Sequence, residues 1–172
     1  MRAFFLFMED KENIPDLTDS PTARLALEAA VRSLARTEQC RASLERKLLQ
    51  KEFDEESIKL ALDYLESKNY IDDFRYASLW IHSHCSFKPQ GKIRLLQELT
   101  RRGVKKTIAE NAILDYFNNT TEEGLCEEAF KKIASKKDDL QKIISSLARQ
   151  GFSYSTIQKI VKKNKEGLNG SK

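Results

Sequence analysis

The sequence has 172 residues, of which 40% are hydrophobic and 33% are charged, with only 6 Gly and 3 Pro. This composition is too apolar for a disordered chain and too poor in turn-forming residues for a strand-rich sandwich or barrel, so we expect an all-α protein. The 30 basic and 26 acidic residues leave a net charge of only +4, so an anionic partner would have to meet locally concentrated positive charge.

Nine helices are predicted from apolar residues that recur at i, i+3, i+4 and i+7. Residues 1–23, which include Pro15, Pro21 and an acidic excess, are expected to form a flexible leader, and residues 164–172 a disordered tail. Five of the apolar faces are Leu27/Ala30/Val31/Leu34, Ile58/Ala61/Leu62/Leu65, Ala109/Ala112/Ile113/Tyr116, Cys126/Ala129/Phe130/Ile133 and Leu140/Ile143/Ile144/Leu147. Shorter helical patterns lie between them, at Leu44/Leu48, Tyr76/Leu79/Trp80, Leu95/Leu99 and Ile157/Ile160/Val161.

A short pattern recurs three times, at 48–53, 99–104 and 147–152. Each copy ends one helix and precedes another, which predicts tandem three-helix repeats at about 24–71, 72–121 and 122–163 that form an elongated, curved array. Gly103 and Gly151 fit the position just after a helix end, where φ is positive. Glu52 replaces glycine in the first copy.

Charge follows the same repeat. Residues 24–51 contain seven basic and three acidic side chains, and residues 52–74 contain two and eight. Residues 86–106 contain seven and one, residues 107–130 none and six, and residues 131–172 eleven and three. Charged, solvent-exposed helix faces would explain any one block. Because the pattern follows the repeat, we favour a basic stripe that binds an anionic partner.

The stripe is expected to include eleven cations from the first two repeats: Arg36, Arg41, Arg46, Lys47, Lys51, Arg75, Lys88, Lys92, Arg94, Arg101 and Arg102. Lys88 and Lys92 flank Gly91 at the start of a helix, where free amides favour an anion. The nearby aromatic residues Tyr76, Trp80 and Phe87 have helical core spacing and are expected to pack rather than to stack on bases. The acidic or neutral helices at 55–67 and 106–117 argue against a helix-turn-helix reader of the DNA major groove.

Two other clusters resemble functional sites. Asp72 is expected to cap a helix whose dipole Asp73 complements, in preference to a paired-carboxylate site. His82, His84 and Cys85 are zinc-ligand types, but their spacing on one helix does not converge on a metal. We find no motif for a nucleophile and base pair or a phosphate loop, and we predict no enzyme activity, catalytic residue, metal or cofactor.

The cysteines predict a reducing compartment, because they are odd in number and form no Cys-x-x-Cys pair; they are Cys40, Cys85 and Cys126. We expect them to be buried and inert. The apolar run from Ala3 to Met8 is too short for a secretory core or a membrane span. We therefore expect a cytoplasmic protein with no membrane attachment.

The segment Ile71-Asp72-Asp73-Phe74-Arg75-Tyr76-Ala77 resembles the Leu-Asp-Asp-x-Arg-Phe-Ala signature of the RecX family. Gly91 to Val104 is similar to a second family motif, with Arg94, Glu98, Leu99, Arg102 and Gly103 in register, and Leu34 to Leu48 is similar to the family's first repeat. The resemblance covers about residues 26–117 well and continues weakly to 163. Glu52 and the third repeat depart from the family pattern.

The resemblance implies a bacterial protein that binds the groove of the RecA filament on single-stranded DNA. We expect a monomer, whose direct binding to DNA is at most weak. The resemblance also implies that the protein limits filament growth, ATP hydrolysis, strand exchange and coprotease activity. Two other hypotheses remain open. One is a nucleic-acid-binding repeat protein that acts without RecA, and the other is a scaffold for some other protein.

Overall fold

The structure is a computed structural model that describes residues 20–135 and 139–169, with side chains described as far as residue 164. These residues form nine helices and no strand, which confirms the all-α class. The helices are α1 (Pro21–Leu34), α2 (Arg41–Leu49), α3 (Glu55–Ser67), α4 (Asp73–Phe87), α5 (Lys92–Arg102), α6 (Lys106–Asn119), α7 (Glu122–Ala134), α8 (Leu140–Arg149) and α9 (Tyr154–Asn169).

Two helix ends differ from the sequence expectation. Helix α1 begins at Pro21, inside the expected leader, because the Ser20 hydroxyl accepts a hydrogen bond from the Ala23 amide at 3.3 Å and proline fits the first helical turn. Helix α9 continues to Asn169, inside the expected tail. Residues 1–19 and 170–172 of the expected leader and tail lie outside the described residues.

The chain divides into two compact units. Unit 1 comprises residues 20–76 and 102–105 of the described chain, and unit 2 comprises the remaining described residues. In unit 1, helices α1, α2 and α3 pack around a core that contains Leu27, Leu44, Leu48, Leu62 and Leu65, all at most 2% exposed. The apolar faces predicted for α1 and α3 are fully buried in this core.

In unit 2, helices α7, α8 and α9 pack on one another. Their buried side chains include Leu125, Cys126, Leu147, Ile157 and Ile160. Two ion pairs join α7 to α9, Lys159 to Glu123 at 3.2 Å and Lys163 to Glu127 at 2.8 Å. Such exposed pairs add little stability, so the apolar contacts hold this bundle together.

The middle helices of the three repeats are α2, α5 and α8, and the turn after each contains a residue with positive φ. Glu52, Gly103 and Gly151 have φ values of 64°, 101° and 82°. After α2, the Phe53 amide donates to the Leu48 carbonyl at 3.3 Å and the Glu52 amide donates to Leu49 at 2.9 Å. The same two bonds recur after α8, where Phe152 donates to Leu147 and Gly151 to Ala148. This is the Schellman motif, which satisfies the last carbonyls of a helix.

In both units the start of one middle helix meets the end of the next. In unit 1 the start of α2 meets the end of α5, and in unit 2 the start of α5 meets the end of α8. In unit 1, a side chain at Gly103 would overlap the Ala42 methyl group, and the Cys40 thiol contacts the Arg102 carbonyl at 3.5 Å. In unit 2, the Gly91 amide donates to the Gln150 carbonyl at 3.0 Å, and a side chain at Gly91 would overlap the Gly151 backbone. Gly91 is needed because two backbones touch there, and Gly103 because the Ala42 methyl group fills the space of a side chain.

Candidate partner-binding grooves

A cationic groove lies between α1 and α2 in unit 1. It encloses about 480 Å³, and its lining includes Ala29, Ala30, Leu44 and Leu48 with the basic side chains Arg32, Arg36, Lys47 and Lys51. None of the described residues that line it is acidic. We call it the α1–α2 groove.

Lys47, one of the four cations of this groove, contacts only neutral acceptors among the described residues. Lys47 Nζ donates to Gln39 Oε1 at 2.5 Å and to Ser33 Oγ at 3.4 Å, and both acceptors are neutral. Within the described part of the chain, none of the four forms an ion pair. The groove can therefore offer its positive charge to an anionic group without first breaking an internal pair.

A second groove lies in unit 2, where the end of α4 and the following loop meet α7 and α8. It encloses about 510 Å³ and is lined by Phe87, Lys88, Pro89, Ala129, Lys132, Ile133, Ser146, Arg149 and Gln150. Here too no acidic residue occurs among the described lining residues, although Lys132 pairs with Glu128 at 3.0 Å. We call it the α7–α8 groove.

Phe87 corrects one expectation from the sequence. The helical spacing predicts that Phe87 packs in the core, but the residue is 86% exposed and lies at the edge of the α7–α8 groove next to Lys88. It is the last residue of α4, where the helix ends and the chain turns away before a packing partner is met. Helical spacing alone does not reveal where a helix ends.

Several predicted stripe cations in unit 1 are used inside the unit. Arg41 pairs with Asp63 at 2.5 Å and with Glu66 at 2.6 Å. Arg75 pairs with Glu38 at 2.8 Å, and its guanidinium also donates to the Asn69 and Tyr70 carbonyls. The Arg41 pairs tie α2 to α3, and the Arg75 contacts tie the start of α4 to the loop before α2 and to the loop after α3. Both arginines therefore have a structural role.

Arg46 and Arg102 meet at one point of unit 1. The Arg46 guanidinium donates to the Arg102 carbonyl at 2.8 Å and to the Ala42 carbonyl at 3.1 Å. Arg102 itself is half-buried. Arg46 thus satisfies a carbonyl at the end of α5, a position that favours a cation.

The predicted cations of α5 are also partly engaged. Glu98 lies between Arg94 and Arg101, at 2.6 Å and 2.9 Å, and its side chain is only 11% exposed. Lys92 Nζ lies 5.0 Å from the centre of the Phe117 ring, a cation–π contact. Among the eleven stripe cations, the structure brings Arg36, Lys47 and Lys51 together in the α1–α2 groove and places Lys88 in the α7–α8 groove.

The grooves contain three cations that the predicted stripe did not include: Arg32, Lys132 and Arg149. Arg36 lies two residues after the end of α1, so a helical projection of α1 extended by those two residues places Arg32 and Arg36 on one face. Lys132 and Arg149 belong to the basic block at 131–172, which lies outside the two repeats that contain the predicted stripe. Their position on facing sides of α7 and α8 depends on packing that the sequence pattern does not specify.

The carboxylates at the start of α4 act as caps. Asp72 Oδ1 accepts from the Arg75 amide at 2.9 Å, within its own helix start. Asp73 Oδ1 accepts from the Arg41 amide at 2.8 Å, at the start of α2. Cys40, at the α2 N-cap, makes no side-chain cap, so Asp73 supplies from the next repeat the acceptor that α2 lacks.

Aromatic partners surround the candidate zinc ligands on α4. The rings of His84 and Trp80 stack at 4.6 Å, and His82 meets the edge of Tyr116 at 4.9 Å. Burial raises the pKa of the Cys85 thiol, which disfavours the thiolate that zinc requires. No group of three or more His, Cys, Asp or Glu side chains in the described chain is arranged to hold a metal.

None of the described helices has the length and apolarity needed to cross a membrane.

Comparison with known proteins places these features in a family. A model of the first three-helix domain of RecX matches residues 26–65, and a model of the second matches residues 72–113. A regulatory protein RecX from Chlorobaculum tepidum is 34% identical over 142 residues, covering 80% of this chain and 86% of the relative. One from Treponema pallidum is 31% identical over 138 residues, covering 80% and 84%.

The fold is shared with solved structures. The crystal structure of RecX from Lactobacillus salivarius superposes with a TM-score of 0.74 at 22% identity, covering 83% of this chain and 96% of that one. Fold and grooves thus define a helical protein of three-helix domains that presents cationic surfaces. The chain belongs to the RecX family, and its curated relatives are named regulatory proteins.

Proposed function

We propose that this chain is a noncatalytic regulator of the RecA recombinase that binds the RecA filament on single-stranded DNA and limits its ATP hydrolysis. Membership of the RecX family supports a regulatory role, and the resemblance of its signature residues supports RecA as the target. The observation that carries the proposal is that each unit presents a groove lined by cations and by no described acidic residue.

Two weak sites on one chain suit a repetitive partner. A filament repeats the same protomer surfaces and DNA phosphates along its length, so each groove can find a phosphate or an acidic side chain of its own. Linking the two contacts raises the overall affinity because the second contact forms within one complex. Charge attraction also speeds the encounter, and salt weakens it.

The test is ATP hydrolysis by RecA on single-stranded DNA with and without this chain. We expect hydrolysis to fall as the chain is added. The variant Arg36→Glu with Lys51→Glu reverses two unpaired cations of the α1–α2 groove and should need at least about tenfold more protein for the same inhibition. Equal potency of this variant and the native chain would contradict the role given to the groove.

A matched control carries the same charge change at Lys59 on α3 and at Lys68, the residue that follows it. Lys59→Glu with Lys68→Glu alters two exposed lysines that lie outside both grooves, and we expect nearly native potency. Reversing Arg94 or Arg101 is a less informative test, because Glu98 would then face like charge and the folded state would be destabilised as well.

One observation favours direct nucleic-acid binding as a second candidate function. Phe87 is an exposed ring beside Lys88, Lys132 and Arg149, and such a ring can stack on an unpaired base while cations contact phosphates. This function predicts tight binding to a labelled oligothymidine without RecA, with a steep loss of affinity as salt rises. Binding only in the presence of RecA would reject it, and a scaffold for another protein would show neither activity.

A further inference from the structure

Gln39 is a buried polar residue whose side chain bonds two residues that line the α1–α2 groove. It is 4% exposed and lies in the loop between α1 and α2, just before the α2 N-cap. Its Nε2 group donates to the Ser33 carbonyl at 2.9 Å and to the Ser33 hydroxyl at 2.8 Å. Its Oε1 atom accepts from Lys47 Nζ at 2.5 Å. The amide therefore links the last turn of α1 to a cation on α2.

The partners of the Gln39 amide define its orientation. If its oxygen and nitrogen exchanged places, the NH2 group would face the Lys47 ammonium and the oxygen would face the Ser33 carbonyl, and both contacts would repel. In the observed orientation the nitrogen and the oxygen both have partners, as a buried amide requires. Gln39 thus presents a fixed, neutral acceptor to Lys47.

This contact leaves part of the Lys47 ammonium group for a ligand. The ammonium has three N–H donors, and described residues accept two of them, through Gln39 Oε1 and, at 3.4 Å, through Ser33 Oγ. The third donor can meet an anionic oxygen of a partner. Lys51 lines the same groove four residues further along, but its side chain makes no hydrogen bond or ion pair with the described residues. The two lysines therefore differ in how firmly they are held.

We propose that Gln39 is a positioning residue for partner binding, which holds the Lys47 ammonium in the α1–α2 groove so that it donates to an anionic oxygen of the partner. This role rests on the proposed function, in which the groove contacts the RecA filament. A mobile lysine side chain loses rotamer freedom when it meets a partner, and a side chain that is already held loses less. Gln39 thus raises the affinity without touching the partner.

The first test follows the lysine ammonium protons of the full chain by NMR, without any partner. Exchange with water should be at least about threefold slower at Lys47 than at Lys51, because hydrogen bonds protect the protons. Gln39→Met keeps the length of the side chain but replaces the amide by a weakly accepting thioether, so the two rates should become equal. Equal rates in the native chain, or slow exchange at Lys47 that survives in Gln39→Met, would overturn the proposal.

The second test is a double-mutant cycle in the binding of the chain to RecA filaments on single-stranded DNA. Gln39→Met should weaken binding about threefold to tenfold, and Lys47→Gln should weaken it at least as much. Gln39→Met in the Lys47→Gln background should cause no additional loss, because Gln39 acts only through Lys47. A purely structural role would weaken binding equally in both backgrounds, and that result would overturn the positioning role.

Two further variants keep these tests decisive. Gln141 is exposed on α8 and lies outside both grooves, so Gln141→Met should bind filaments with near-native affinity. If urea unfolding shows that Gln39→Met does not fold, Ser33→Ala takes its place, because it removes the hydroxyl that Gln39 and Lys47 share and alanine favours the helix. Failure of the native chain to bind filaments would contradict the proposed function, whereas ammonium exchange at Lys47 would still decide whether Gln39 holds it.

Discussion

At the scale of single residues, the turn after α2 carries an avoidable conformational cost. Glu52 has φ of 64°, a left-handed conformation that costs a residue with a side chain about 1–2 kcal/mol. The equivalent positions in the other repeats are Gly103 and Gly151. The hydrogen bonds of Glu52 and Phe53 to the end of α2 hold the turn in place despite that cost.

We therefore expect Glu52→Gly to stabilise the protein by about 1 kcal/mol, measured from the midpoint of urea unfolding. Asn69 is the control, because it has φ of 57° but asparagine tolerates this conformation. Asn69→Gly should change the stability by less than about half as much. Destabilisation by Glu52→Gly would show that the side chain contributes more than its backbone costs.

The buried cysteines give a second prediction at this scale. All three are free and at most 3% exposed, and burial, followed by Glu122 and Glu123, raises the pKa of Cys126 to about 12. At pH 8 we expect the native protein to react with a thiol reagent only as fast as it unfolds, and the urea-unfolded protein to react at once. Rapid reaction of native Cys126 would contradict this burial.

The same shift makes stability depend on pH. Because the folded thiol keeps its proton above the ordinary pKa of 9.0, the unfolded state binds fewer protons between pH 9 and about 12. The stability that the Cys126 thiol contributes to the folded state is therefore fully present below pH 9 and is lost as pH rises from 9 to about 12. Cys126→Ala should show a shallower decline than the native chain.

At the scale of elements, the residue that begins the first helix of one repeat caps the middle helix of the repeat before it. Asp73 accepts from the Arg41 amide at the start of α2, and Glu122 accepts from the Lys92 amide at 3.2 Å at the start of α5. Each contact lies within one unit. A carboxylate at a helix start is favoured by the free amides and by the helix dipole.

This arrangement predicts a reciprocal result in amide hydrogen exchange. Asp73→Ala should speed exchange at Arg41 about tenfold and leave Lys92 unchanged, and Glu122→Ala should do the reverse. Each substitution should cost about 0.5–2 kcal/mol of stability. The amide that keeps its cap is the internal control in each variant. Equal acceleration at both amides would mean that the substitutions act through general loosening.

Helical periodicity identified the elements well because it depends on local sequence alone. The faces predicted for α1, α3 and α6 are fully buried, whereas Phe130, Ile133, Leu140 and Ile144 of α7 and α8 are half-buried. Periodicity states which face is apolar, but neighbouring helices decide how deeply it is covered. Ser20 followed by Pro21 is a typical helix start, but the acidic excess of residues 1–23 led to the prediction of a flexible leader there.

At the scale of the whole molecule, the sequence identified basic segments but not which cations are available for binding. Arg41 pairs with carboxylates 22 and 25 residues away, and Arg75 with one 37 residues away. Such pairs form only after helices pack, so the distribution of charge along the sequence does not reveal them. The alignment of the cations into one stripe, and the curved array of repeats, stay predictions.

The most direct measurement of the central claim is acetylation footprinting of lysines, by mass spectrometry, on the free chain and on the chain bound to RecA filaments on single-stranded DNA. We predict at least about fivefold protection on binding at Lys51 in the α1–α2 groove and at Lys88 in the α7–α8 groove. Lys59 on α3 and Lys106 on α6 are exposed, lie outside both grooves and should stay reactive. Protection of Lys59 and Lys106 with unchanged reactivity at Lys51 and Lys88 would contradict docking through the grooves.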